Sequence, residues 1–225
     1  MAKFNGPKIV TDGLVLCLDA GNRKSYPGSG TAWTDLSGRG NIGELINSPT
    51  YNSSNLGYFQ FVTDDYARIP NNTDLDTQTP SVEVWVKTNT TTQAGFWFEK
   101  GAVNTQYSLF QEGADIQWRH YFTDGTLNTQ STTTSSYLNT SDYFQVVGTY
   151  NKQQKITYIN GIARTTTNET RPVNFNSGGV TIGMFNSGSY KYNGNIAIVQ
   201  VYNRALSASE VLDNYNTYKS RFGLS

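Results

Sequence analysis

The chain has 225 residues, with 17 basic and 17 acidic side chains balancing to a formal net charge of zero. That length fits a single all-β unit with a substantial core, and the balance excludes the electrostatic footprint of a nucleic-acid binder. A lone Cys17 excludes an intrachain disulfide, a lone His120 excludes a multi-histidine metal site, and no apolar run is long enough for a membrane-spanning helix.

The elements follow in chain order. Residues 1–12 read as an N-terminal arm broken by Gly6-Pro7, and residues 13–225 as one domain. The arm carries no long apolar stretch, so no secretory signal is expected. Leu14-Val15-Leu16-Cys17-Leu18-Asp19 predicts a buried strand. The polar stretch 20–51 reads as a structured loop anchored by Trp33, Leu36, Ile42, Leu45 and Ile46. Residues 58–61 and 66–69 read as short strands around the turn Thr63-Asp64-Asp65.

Residues 81–87 alternate, with Val82, Val84 and Val86 on one face and Glu83, Trp85 and Lys87 on the other. Glu83 is expected to face solvent or to pair with a basic side chain. Residues 96–101 predict the next strand, and residues 107–111 and 116–122 a hairpin across Glu112-Gly113-Ala114-Asp115. Residues 129–136, rich in Thr and Ser, read as a loop. Residues 144–150 and 155–159 form another expected hairpin, and Asn160-Gly161 is the strongest short turn signal, because both positions favour positive φ.

Residues 180–183 and 194–202 close the strand series. Ser207-Ala208-Ser209-Glu210 is a capping box. It opens one short helix whose face carries Val211, Leu212, Tyr215 and Tyr218, with Gly223 as the stop. With 28 Thr, 23 Asn and 21 Gly against 13 Leu, the composition agrees with strands and turns rather than helices.

Few residues suggest chemistry. His120 shares a strand with Ile116, Trp118 and Phe122, which reads as a packed, hydrogen-bonded histidine rather than a triad base. Cys17, between Leu16 and Leu18, reads as an inert buried thiol. Asp35, Asn41, Asp64 and Asp65 could supply oxygen ligands to calcium, or simply shape turns; no other cofactor is expected. An aromatic platform for a glycan would draw on Trp97, Trp118 and Tyr121, with Tyr190 and Tyr192 as surface contacts. The competing reading places the tryptophans in the core.

Several segments, taken together, resemble the LamG-like, concanavalin A-like lectin/glucanase family. The most specific runs from Gly194-Asn195-Ile196 through Val201-Tyr202-Asn203-Arg204-Ala205-Leu206-Ser207-Ala208-Ser209-Glu210-Val211 to Asn214-Tyr215. Asp35-Leu36-Ser37-Gly38-Arg39-Gly40-Asn41-Ile42-Gly43, residues 81–87 and Tyr158-Ile159-Asn160-Gly161 add to it. The resemblance implies an all-β jelly-roll sandwich of two antiparallel sheets, one of them concave. Two departures stand out. Ala197-Ile198 occupies the place where many relatives carry Asp-Glu. The E-x-D-x-x-E strand of related glucanases is missing, since Trp85 stands where its central Asp would lie.

The opening Pro7-Lys8-Ile9-Val10-Thr11-Asp12-Gly13-Leu14-Val15, with Lys24-Ser25-Tyr26-Pro27-Gly28-Ser29-Gly30-Thr31, resembles virion proteins of tailed bacteriophages. The resemblance implies a non-enzymatic virion structural protein at the particle surface, a capsid decoration or accessory component. Phe4, Pro7, Ile9 and Val10 would attach the arm to capsid or tail proteins, and a homo-oligomer is compatible with that role. The alternative is a carbohydrate-binding tail or fibre adhesin recognising host-surface polysaccharide. Neither reading involves nucleic acid or a membrane.

Overall fold

The computed structural model describes residues 8–102, 105–133, 138 and 140–225. Its strands begin with β1 (Leu14–Asp19), β2 (Ala32–Trp33), β3 (Gly43–Ile46), β4 (Thr50–Asn52), β5 (Tyr58–Phe61), β6 (Tyr66–Ile69), β7 (Ser81–Thr88) and β8 (Ala94–Gly101). They continue with β9 (Thr105–Glu112), β10 (Asp115–Tyr121), β11 (Leu127–Thr133), β12 (Phe144–Tyr150), β13 (Gln154–Ile159), β14 (Ile162–Asn168), β15 (Val180–Ile182) and β16 (Gly194–Tyr202). Helix α1 (Ala208–Tyr218) follows and tightens into a 3₁₀ turn, Lys219–Phe222.

The strands form two antiparallel eight-stranded sheets, as a jelly-roll sandwich requires. The first runs β14-β13-β12-β7-β16-β5-β4, with β1 also paired to β16; the second runs β11-β10-β9-β8-β15-β6-β3-β2. The main core lies between them. Val82, Val84 and Val86 point into it from β7, as the alternation predicts, and meet Trp97, Phe98, Tyr107, Leu109 and Trp118 from the second sheet. Strand alternation thus buries one face per strand, and large aromatics fill the gap between layers.

Local signals explain several elements. Asn160 (φ 51°) and Gly161 (φ 76°) join β13 to β14 in the positive-φ turn their chemistry favours. Ser207 Oγ accepts from Glu210 N, and the Glu210 carboxylate accepts from Ser207 N, so the capping box is complete. Gly223, at φ 73°, ends the 3₁₀ turn in the left-handed conformation. On α1 the buried residues are Val211 and Asn214, whereas Leu212 is exposed.

One expectation about the strands needs correction. Residues 129–136 are not simply a loop: Leu127–Thr133 is strand β11, pairing along its whole length with β10. Its threonines are β-branched and suit a half-exposed edge. Strand β14 is likewise rich in Thr and exposed along almost its whole length. Residues 58–61 and 66–69 are strands β5 and β6, as expected, and the turn at Thr63-Asp64-Asp65 carries the chain from the first sheet to the second.

Helix α1 and its 3₁₀ extension cover the outer face of the first sheet. Trp85 stacks there against Phe222, with ring centroids 4.7 Å apart, and lies parallel to Tyr215. Glu83 is therefore neither solvent-facing nor salt-bridged, but completely buried. Its Oε1 accepts from Trp85 Nε1 (3.1 Å) and Gln145 Nε2 (2.8 Å), and its Oε2 accepts from Asn214 Nδ2 (2.8 Å). Burial raises its pKa.

The described end of the arm is tied to this side. Val10 N donates to Asn214 Oδ1 (2.8 Å), Val10 O accepts from Tyr202 OH (3.1 Å), and Ile9 packs beside them. Ile9 and Val10 are thus engaged by their own domain rather than free for attachment; Phe4 and Pro7 lie outside the described residues.

Candidate functional site

Among the described residues the outer face of the second sheet carries no helix, and its side chains can be followed strand by strand. Register places Glu44 opposite Arg68, Arg68 opposite Thr181, and Thr181 opposite Glu99. Glu99 lies opposite Ser108, Ser108 opposite Arg119, and Arg119 opposite Thr129. This polar row crosses seven strands, roughly 29 Å at the usual strand spacing. Beside it, Phe96 and Phe110 stack with centroids 4.2 Å apart.

The loop of residues 183–193 crosses the face at β8 and β15. Asn186 N donates to Glu99 Oε2 (2.7 Å), Asn186 Nδ2 to Gly101 O (2.7 Å), and Phe96 N to Tyr190 O (3.2 Å). Phe185 packs 5.0 Å from Phe96. On one side of this loop opens a groove of about 980 Å³. Tyr66, Arg68 and Thr181 line it, with Asn71 and Asn186 at its walls. Asp64 and Asn47 complete the rim, where Asp64 pairs with Lys191. The other side of the loop presents Arg119 and the stacked phenylalanines.

Glu99 is the buried carboxylate of this face. Burial raises its pKa to about 7, against the hydrogen bonds from Thr105 and Asn186, which favour its charged form. Hydrolysis of a glycosidic bond needs a second carboxylate across the cleft. The residues facing Glu99 on the adjacent strands are Thr181 and Ser108.

The sequence-predicted glycan residues separate. Trp97, Trp118 and Tyr192 have essentially no exposed surface and belong to the core between the sheets. They cannot form a platform; the large aromatic volume that suggested one is what fills the sandwich. Tyr121 is half-buried on β10, and Tyr190, 55% exposed, stands on the crossing loop. Only Tyr190 of the five therefore offers a broad exposed ring at this face.

His120 is packed, as expected, among Trp118, Phe122 and Tyr150. It is not hydrogen-bonded, however: neither ring nitrogen finds a partner among the described residues. Burial, reinforced by Lys155, holds its pKa well below the ordinary value and leaves it neutral. The Cys17 thiol is buried too, and burial pushes it up to about 12.

The four candidate calcium ligands serve local structure. Asp35 accepts from the backbone of Cys17, Ser37 and Asn41, and from Ser37 Oγ. Asn41 Nδ2 donates to Val15 O, and Asp65 Oδ2 accepts from Val62 N. Among the described residues, no three carboxylate, histidine or cysteine side chains gather as a metal cluster.

Sequence reasoning missed Tyr66, Arg68, Glu99, Arg119 and Asn186. The alternation of residues 116–122 holds the one available signal, since it puts Arg119 on the face opposite Trp118.

Residues 61–212 match the concanavalin A-like lectin/glucanases superfamily, in its laminin G 3 branch, and the chain belongs to that family. No curated protein sequence matches it. Among solved structures, it resembles the binding domain of paraclostridial mosquitocidal protein 1 (TM-score 0.74, 14% identity, 92% of this chain and 53% of that one). It also resembles the botulinum neurotoxin serotype G binding domain (TM-score 0.72, 16% identity, 90% and 50%). A third is the binding domain of botulinum neurotoxin DC, solved in complex with rat synaptotagmin II (TM-score 0.74, 15% identity, 93% and 52%). At these identities the likeness is one of fold, and the chain spans about half the length of each structure. Among the described residues no helix is long and apolar enough to cross a membrane.

Proposed function

We propose that the chain is a non-enzymatic, lectin-like binding module that takes a glycan into the groove over Tyr66, Arg68 and Thr181. The observation that carries this reading is the groove itself. It lies on the sheet face that the helix leaves bare, with an aromatic ring, amides and a guanidinium converging on it. Such a mixture suits a sugar, which presents hydroxyls at its edge and C–H groups on its face. Membership of a lectin-containing superfamily supports the reading, and the lack of a carboxylate facing Glu99 on its neighbouring strands supports a role without hydrolysis.

Glycan-array binding tests it. The wild-type chain is expected to retain a defined set of glycans, and Tyr66→Ala with Arg68→Ala to weaken them by about tenfold or more. Binding that is unchanged in the double variant, in a protein of unchanged melting temperature, overturns the groove as the site.

The resemblance of residues 7–31 to tailed-phage virion proteins supports a finer reading. In it the module sits on a particle, as a capsid decoration or on the tail, with host-surface polysaccharide as its ligand. Quantitative mass spectrometry of purified virions is expected to find the chain. Copies in proportion to the major capsid protein mark a decoration, a few copies mark a tail position, and absence removes the virion placement.

A further inference from the structure

Arg119 differs from the other well-placed arginines of the fold. Arg68 reaches Glu44, Arg171 pairs with Glu169, Arg204 with Glu210, and Arg221 with Asp19. Arg119 is half-buried and makes no ion pair among the described residues. Its Nε donates to Thr129 Oγ1 (3.1 Å), and its guanidinium carbon lies 4.3 Å from the centroid of Phe110. Phe110 is in turn stacked on Phe96. The contact with Phe110 and the Nε bond hold the guanidinium in place, while its Nη groups meet no acceptor among the described residues.

Leaving a partly desolvated guanidinium without a contacting anion costs free energy. Glu112 and Glu99 favour its charge from a distance, but neither forms an ion pair with it among the described residues, and Thr105 Oγ1 and Asn186 N hold both Glu99 oxygens. Two further features surround the fork. The Ser108 hydroxyl, opposite Arg119 in register, is buried and finds no partner among the described residues. Tyr190, on the crossing loop, flanks the same Phe96 ring as Arg119, with centroids 6.1 Å apart.

We propose that Arg119 anchors the carboxylate of an acidic sugar, whose ring lies against Tyr190 on the far side of the loop from the groove. A preorganised guanidinium receives a carboxylate through two parallel hydrogen bonds, a geometry lysine cannot reproduce. The proposal rests on the reading of this face as a glycan-binding face and names the class of glycan. Uronate chains and terminal sialic acids share the required chemistry.

Titration calorimetry on the full chain separates the outcomes. The probes are oligogalacturonate against its methyl ester, and sialyllactose against lactose. At least one acidic probe is expected to bind about tenfold or more tighter than its neutral counterpart. Arg119→Gln is expected to weaken that binding by about ten- to a hundredfold, and Arg119→Lys not to restore it. Melting curves of both variants control for folding. If Arg119 only shields the phenylalanines, Arg119→Gln shifts the melting temperature and leaves the preference for acid intact, which overturns the proposal. Equal binding of acidic and neutral probes overturns it while leaving the lectin reading standing. Failure of every sugar, here and on the array, removes both.

Discussion

Replacing Glu83 by Leu is expected to destabilise the protein by more than about 3 kcal/mol, because three buried donors lose their acceptor together. Trp85 Nε1, Gln145 Nε2 and Asn214 Nδ2 all point at one carboxylate that water does not reach. Glu83→Gln is the sharper probe. Its amide oxygen can serve two of the donors, but its amide NH₂ then confronts Asn214 Nδ2. Turning Asn214 over is no remedy, since its Oδ1 accepts from Val10 N. The Gln variant should therefore cost about 1–3 kcal/mol and loosen the Val10 segment. Urea denaturation measures the first, and amide exchange at Val10 the second. A Leu variant within about 1 kcal/mol of wild type contradicts this account of the network.

Stability is also expected to rise with pH just above neutrality, because of Lys155. Its ammonium is fully buried and donates to Trp118 O (2.7 Å), Asn128 O (3.1 Å) and Asn128 Oδ1 (3.0 Å), with no carboxylate in contact among the described residues. Burial lowers its pKa to about 7, with Glu169 opposing that shift and Arg171 and Arg119 adding to it. Neutral His120 lies nearby. The unfolded chain keeps the lysine protonated up to about pH 10.4. Between these values the unfolded state binds more protons, so stability increases with pH.

From about pH 7.5 to 8.5 the gain approaches roughly 1 kcal/mol. This window lies above most of the action of Glu99 and His120, which have opposite signs, and below that of the buried tyrosines; Cys17, whose unfolded thiol ionises near about pH 8.5, begins to oppose the gain at its upper end. Lys155→Met should flatten the profile, and denaturation midpoints across the window check it. A variant that keeps the full slope shows that another group sets it.

What the sequence made legible was local. The Asn160-Gly161 turn, the Ser207–Glu210 cap and the valine stripe of β7 each need only neighbouring residues. The site needs more. Glu44, Arg68, Thr181, Glu99, Ser108, Arg119 and Thr129 come from seven strands, and their alignment depends on register. Irregularities between Phe96 and Phe98, and between Lys100 and Gly101, reset that register on β8. One residue of slip would turn a strand's outward side chains into the core. Glu83 was misread for a related reason: alternation tells which residues share a face, but not what covers that face. The tryptophans were ambiguous because a sugar platform and a sandwich core use the same side chains.

The position of β16 has a temporal consequence. It is the last strand in chain order among the described residues, yet it pairs with β7 along one edge and with both β1 and β5 along the other. A growing chain that has reached Tyr192 holds β1 with no partner, and β5 and β7 paired on one edge only, with β4 and β12. The first sheet thus lacks the strand that joins its two halves while synthesis is still short of residue 202. Its assembly is postponed to release of the finished segment and proceeds through contacts far apart in sequence, the regime of slow folding. Until then, exposed strand edges depend on chaperones or on speed to avoid one another.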